Sequence, residues 1–380
     1  MPFDVERLRR DEFPWADAGE AIYLNVASTG PLPERTVKAQ DQFTRKRAAP
    51  HRLSHQEQFA VLTQSRALAA ELIGADVRDI ALAANTGSGL NLAAWGLPLG
   101  VGDVVVVPDL EFPANMYPWL AAANARGFTV RRVRARDGLP DESALLAALD
   151  HQGVRVLSLS WVGFATGFTA DLERLGAECR ARGIWFVVDG IQGVGAIPLD
   201  VKRVGIDLLA CGAQKWLLSP WGSGFTYVKP SLLDRLSPQP VSWMGVKGSD
   251  DFSTLLDYDL TWRDDARRFE QITLAYQDFA GMAASLGLLR ELGWVDVMRH
   301  IATRADELYD GATRAGVDVV TPAERRAGIV TVRPPDVSAA SARLQHAKVI
   351  HSVREGTIRL APHCYTTAEE IELALAALRG

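Results

Sequence analysis

The chain has 380 residues, 48% of them hydrophobic and 23% charged, with a formal net charge of −5. That balance suits a globular protein with a full core, and the length calls for more than one compact unit. It excludes the basic footprint of a nucleic-acid binder. No run of roughly 18 apolar residues marks a membrane span, and the N-terminal MPFDVERLRRDEFP lacks the apolar stretch of an export signal.

The expected setting is the cytoplasm and the expected partners are small molecules. Cys179, Cys211 and Cys364 are odd in number and scattered, without metal-ligand spacing, so a reducing compartment and no metal site are expected.

Along the chain, YLNVASTGPLP (23–33) reads as an extended segment running into a turn, and Glu34 to Leu72 as helical, stopping near Gly74. IALAANTGSGLNLAAWGL (80–97) reads as strand, glycine turn, helix. The backbone N–H groups of that helix start, beside the hydroxyls of Thr86 and Ser88, form an anion site, so Thr86, Gly87 and Ser88 are assigned to a phosphate. The spacing is not the dinucleotide GxGxxG, and a lone GSG turn is also common as a plain turn.

DVVVVPDLEFPANMYPWL (103–120) reads as strand, loop, helix, and residues 154–183 as strand, turn, helix. Next, WFVV ends on Asp189, a second apolar run IDLLAC follows, and Lys215 stands just beyond it in AQKW. Ligands of open α/β sheets collect outside the carboxyl ends of such strands, so Asp189 and Lys215 are expected in one pocket. Pyridoxal phosphate needs both: an amine for its Schiff base and an acid opposite the ring nitrogen. Taken alone, the pair reads equally as a turn cap and a surface lysine. WGSGFTYVKP (221–230) adds a further strand, and long helical patterns followed by GIVTVRP and HSVREGTIRLAPH form a smaller α+β unit.

The stretch VVDGIQGVGAIPLDV…DLLACGAQKWLLSPWGSGFTYV resembles the class V aminotransferases nearly position by position, and the likeness runs from YLNVASTGPLP to IRLAPHCYTTAEEI. The family includes cysteine desulfurases, isopenicillin N epimerase, kynureninase and several C–S lyases. The resemblance implies an α/β fold of the type I pyridoxal-phosphate enzymes, with a mixed, mostly parallel sheet between helices. The division expected is an N-terminal segment (1–20), a large cofactor-binding domain (21–275) and a small C-terminal α+β domain (276–380).

The resemblance also implies roles for single residues. Lys215 is the Schiff-base lysine and Asp189 the partner of the ring nitrogen. Gln192 donates to the ring oxygen, Phe112 stacks on the ring, and Gln214 replaces a histidine that donates to the phosphate. Gly212 stands where relatives carry a serine, which removes one phosphate contact. Thr273 completes the phosphate site of a partner subunit, which implies a homodimer, although Ile272 stands where relatives have glycine. Asn25 and Ala27, in the segment running to Ser28, line the substrate end, and Arg359 holds the α-carboxylate. No amide side chain stands near Gly163 or Phe164, where relatives often place one.

Phe112 in place of the desulfurase histidine leaves Lys215 as the acid and base. No cysteine lies between Cys211 and Cys364, where the desulfurase cysteine belongs, so Cys364 reads as structural. The expected reaction is β-elimination from a sulfur-bearing amino acid. The alternative is a specialised-metabolite enzyme of the isopenicillin N epimerase or lincosamide-pathway type, working by epimerisation, transamination or decarboxylation-coupled deamination. A non-catalytic scaffold ranks below both, because Asp189, Gln192, Lys215 and Arg359 are all present.

Overall fold

The computed structural model describes residues 3–253 and 255–379. Its strands are β1 (Ile22–Tyr23), β2 (Ile80–Leu82), β3 (Val104–Pro108), β4 (Thr129–Val133), β5 (Val154–Ser160), β6 (Trp185–Asp189), β7 (Leu208–Gly212), β8 (Gly224–Val228), β9 (Asp318–Val319), β10 (Val330–Arg333), β11 (Val349–Ile350), β12 (Ser352–Arg354) and β13 (Thr357–Leu360).

Seven of these form one sheet in the order β2-β8-β7-β6-β5-β3-β4, and only β8 runs antiparallel to its neighbours. The apolar runs WFVV and LLAC become β6 and β7 because helices cover both faces of the sheet, so neither face needs polar alternation. Their register sets Asp189 beside Ser160 of β5 and Ala210 of β7, at the carboxyl edge of the sheet.

The helical stretch after Glu34 divides into two helices, Glu34–Ala48 and His55–Leu72. Pro50 cannot donate to the helix ladder, and Ser54 starts the second helix with a capping box to Glu57. Both helices pack against Tyr276–Leu292.

A smaller antiparallel sheet, β12-β13-β10-β9, packs with helices Trp294–Arg314, Val337–His346 and Ala368–Arg379 around Leu308, Leu344, Ile358 and Leu375. The N-terminal chain joins this part of the molecule. β1 pairs with β11, Asn25 bridges to Ala361, and buried Arg9 donates to the Tyr365 carbonyl and pairs with Glu370. Residues 22–25, grouped in the sequence with the large unit, therefore bind to the C-terminal one and carry the chain from it toward β7.

Candidate active site

Asp189 ends β6 with 3% of its surface exposed, and its Oδ1 accepts the Ile191 N–H at 3.0 Å. Burial raises its pKa to about 6, while the Ile191 N–H and the Lys215 charge pull it down. Lys215 sits three residues past the end of β7 in a turn held by its own carbonyl, which accepts from Leu218, and by the Gln214 carbonyl, which accepts from Gly30. A Cβ at Gly30 would lie 2.2 Å from the Lys215 carbonyl oxygen, so only glycine lets the N-terminal segment approach there. Burial lowers the lysine pKa to about 8; Asp189 opposes this, and Arg359 and Arg354 reinforce it.

The Phe112 ring is 43% exposed and its centroid lies 5.9 Å from Lys215 Nζ, with Phe164 edge-on at 5.2 Å. The loop carrying Phe112 is tied down by Glu111, which sequence reasoning missed. Its carboxylate accepts from Ser160 N at 2.8 Å, from Ser160 Oγ at 2.5 Å and from Asn115 Nδ2 at 2.9 Å. Burial raises its pKa to about 7 against those hydrogen bonds, and the Asp189 charge adds to the rise. An isolated glutamate before FP gives no sign of this in sequence, because its main partner, Ser160, comes from a different strand.

The helix Thr86–Gly96 begins over β7. Asn85 caps it by accepting the Ser88 N–H at 3.0 Å, which leaves the first-turn N–H groups of Thr86 and Gly87 at its mouth. Thr86 Oγ1 accepts from Gly212 N at 2.9 Å. A Cβ at Gly212 would meet Gln214 Oε1 at 2.4 Å and Thr86 Oγ1 at 3.2 Å. The Gln214 amide therefore occupies the space a Gly212 side chain would take. Thr273 is exposed, and with Ser88, Gly222 and Thr226 it lines a cavity of about 330 Å³ that neither Lys215 nor Asp189 borders.

At the other end, Gln192 is fixed through both ends of its amide. Its Oε1 accepts from Trp216 Nε1 at 2.9 Å and its Nε2 donates to the Ala27 carbonyl at 2.9 Å. An indole N–H can only donate, which fixes the amide's orientation and leaves one Nε2 hydrogen uncommitted. Asn25 Oδ1 accepts from Ser28 Oγ at 2.8 Å and from Ser352 Oγ at 2.7 Å, joining the N-terminal segment to β12. Asn25 and Ala27 thus shape this end through their polar atoms' internal bonds.

Arg359 is 1% exposed on β13. It donates to the Phe164 carbonyl and to Ser28 Oγ, each at 2.7 Å, and its buried Nε has no partner. No described carboxylate pairs with it, and burial together with the Arg354 charge lowers its pKa to about 10. A buried guanidinium without a counter-ion is a site for an incoming anion.

The three thiols are held in their protonated form, Cys211 within range of the Asp189 and Lys215 charges. Cys179, Cys211 and Cys364 are buried, and burial pushes each thiol's pKa up. Cys364 Sγ lies 3.1 Å from His363 Nδ1, whose Nε2 contacts the Trp216 carbonyl at 3.0 Å. Burial lowers the His363 pKa to about 3, so the ring is neutral and braces the turn below Lys215. Among the described residues no cluster of histidine, cysteine or acidic side chains could hold a metal ion, and no helix is long and apolar enough to cross a membrane.

The sequence model of the family described as Aminotransferase class-V matches residues 22–373. Isopenicillin N epimerase of Streptomyces clavuligerus is 32% identical over 94% of this chain and 95% of its own length. The uncharacterized aminotransferase YcbU of Bacillus subtilis is 30% identical over 80% of each chain. Among solved structures, a C-DES mutant with glycine covalently linked to its PLP cofactor superposes with a TM-score of 0.88 at 25% identity, covering 98% of each chain. The cystine C–S lyase C-DES bound to its product cysteine persulfide gives 0.86 at 26% identity, over 96% of this chain and 99% of that one.

Proposed function

The chain belongs to the class V aminotransferase family and is a pyridoxal-phosphate enzyme, and from that premise we propose that it eliminates a sulfur substituent from Cβ of an amino acid, with Lys215 moving the proton. The residues present fit the cofactor. Asp189 offers a buried carboxylate to the ring nitrogen, and Gln192 keeps one N–H for the ring oxygen. Thr86, Gly87, Ser88 and Gln214 surround a helix mouth suited to the phosphate, and Phe112 presents its ring near the lysine. When bound, the cofactor supplies a Schiff base to the amine and a sink for the electron pair left at Cα.

The observation that carries the reaction is that Lys215 is buried beside Asp189 with an aromatic ring, rather than an imidazole, nearby, while every described thiol is buried with its pKa raised. Arg359 holds the substrate carboxylate and sets the direction of the Cα–H bond. Lys215 Nζ takes the Cα proton, and the C–S bond breaks with its electron pair leaving on the thiolate. The enamine released then hydrolyses to pyruvate and ammonia. Lys215, its pKa lowered to about 8, serves as base in one step and returns a proton in the next.

A second reading, epimerisation or another fate of the Cα carbanion such as transamination or decarboxylation-coupled deamination, draws support from the likeness to isopenicillin N epimerase over nearly the whole chain. We also place the working enzyme as a homodimer in which Thr273 completes the phosphate site across the subunit boundary.

Incubation of the pyridoxal-phosphate-loaded protein with cystine and with cysteine S-conjugates decides between the readings. Pyruvate is expected in equal amount with cysteine persulfide from cystine, and with the thiol from each S-conjugate. No keto acid from any of them would sink the lyase reading, and deuterium uptake at Cα without thiol release would put the second in its place.

A further inference from the structure

We propose that the substrate end of this pocket is built for an amino acid with a second anionic group on its side chain, and that Arg354 recognises that group. The inference rests on the reading that Arg359 takes the α-carboxylate.

Two guanidiniums converge on a single hydroxyl. Ser28 Oγ lies 2.7 Å from Arg359 Nη2 and 3.4 Å from Arg354 Nη2. That oxygen is held by Asn25 Oδ1 and Ser352 Oγ, so its position between the arginines is set by the fold. Ser352 faces Arg359 across the β12–β13 pair, and Arg354 stands two residues further along the same strand and on the same face.

The charges do not balance within the chain. Both Nε atoms are buried without a hydrogen-bond partner. Neither arginine forms an ion pair with a described carboxylate, and each repels the Lys215 ammonium. Like charges packed together without an acid oppose one another and call for anions from outside. A lone α-carboxylate, accepting from the unspent donors of Arg359, supplies one negative charge to two guanidiniums. Arg354 keeps its own unspent donors for a second acceptor, and a side-chain carboxylate a few bonds from Cα meets them.

The pyridoxal-phosphate-loaded protein is titrated with glutamate, glutamine and 2-aminoadipate, and affinity is read from the change in its visible spectrum. None of these probes carries a leaving group on Cβ, so the readout is independent of elimination. Wild type is expected to bind glutamate or 2-aminoadipate at least about tenfold more tightly than glutamine, the effect of one charge-assisted hydrogen bond. Arg354→Met should erase that preference while glutamine affinity stays within about twofold, and Arg354→Lys should retain part of it.

No acid preference in wild type, or no spectral change with any probe, overturns the proposal. So does an equal loss for acid and amide in Arg354→Met, which would assign Arg354 to bracing Ser28 and Arg359, or an acid preference that survives Arg354→Met intact. An acid preference without pyruvate from any cysteine S-conjugate would retire the lyase reaction and leave this inference standing.

Discussion

At Lys215 burial and two arginines push the amine toward its neutral form, and Asp189, with a smaller contribution from Cys211, opposes them. With a pKa of about 8, roughly one amine in ten is neutral at pH 7, against about three in ten thousand for an ordinary lysine. Cofactor uptake by the apoenzyme requires the neutral amine, so its rate should climb as pH rises toward about 8 and level off above it. Stopped-flow absorbance across that range checks the sign, and a rate still climbing steeply well above pH 9, toward the range of an ordinary lysine, would contradict it. Lys215→Ala should fold and lose the visible band altogether. The closeness of Asp189 and Lys215 was legible in the sequence because the first ends an apolar run and the second follows one by a few residues, and a strand's carboxyl end is a position that a pattern can mark. Glu111 and Arg354 were not, because their meaning lies in contacts with Ser160 and Ser28, which pairing of distant segments creates.

The helix Thr86–Gly96, whose start is the proposed phosphate site, is seated directly on the sheet. A Cβ at Gly89 would lie 2.4 Å from Thr226 Oγ1 and 2.7 Å from the Ala210 Cβ. Gly89→Ala should therefore lift the helix start and cost about 1–3 kcal/mol, seen as a lower unfolding midpoint together with weaker cofactor binding. An unchanged midpoint would mean that the helix has slack at that point. The sequence made the strand-turn-helix unit legible through its glycines, yet read Gly212 and Gln214 as two separate departures from the family. In the structure they form one unit, since the glutamine amide fills the space above the glycine. Gly212→Ser should displace that amide and weaken cofactor binding by about tenfold, and the added change Gln214→His should recover most of it. Fluorescence titration of the apoenzyme distinguishes this from independent effects, in which the second change would recover nothing. The helical reading of Glu34 to Leu72 missed the break at Pro50 because both flanking stretches keep a helical pattern.

On the scale of the whole molecule, the chain exposes apolar side chains that a lone subunit has no use for. Val241, Trp243, Phe252, Leu255, Leu256, Tyr258 and Leu260 all stand in one segment, with Trp221 exposed 72% beside the cavity that Ser88 and Thr273 line. Contiguous exposed apolar surface of this kind marks an interface. The overall fold was legible because strand and helix periods are local properties, whereas an exposed apolar surface built from one irregular segment leaves no period in the sequence. If Thr273 serves its neighbour's phosphate site, the Lys215→Ala and Thr273→Ala variants should rescue each other. A mixed dimer would hold one site with both defects and one with neither, so mixing two weakly active or inactive preparations, with exchange of subunits, should restore turnover. If Thr273 serves its own chain's site, each site of the mixed dimer keeps one defect and mixing restores nothing. Size-exclusion chromatography with light scattering, run on the same mixtures, ties the outcome to dimers: a purely monomeric protein at assay concentration would remove the shared site whatever the turnover shows.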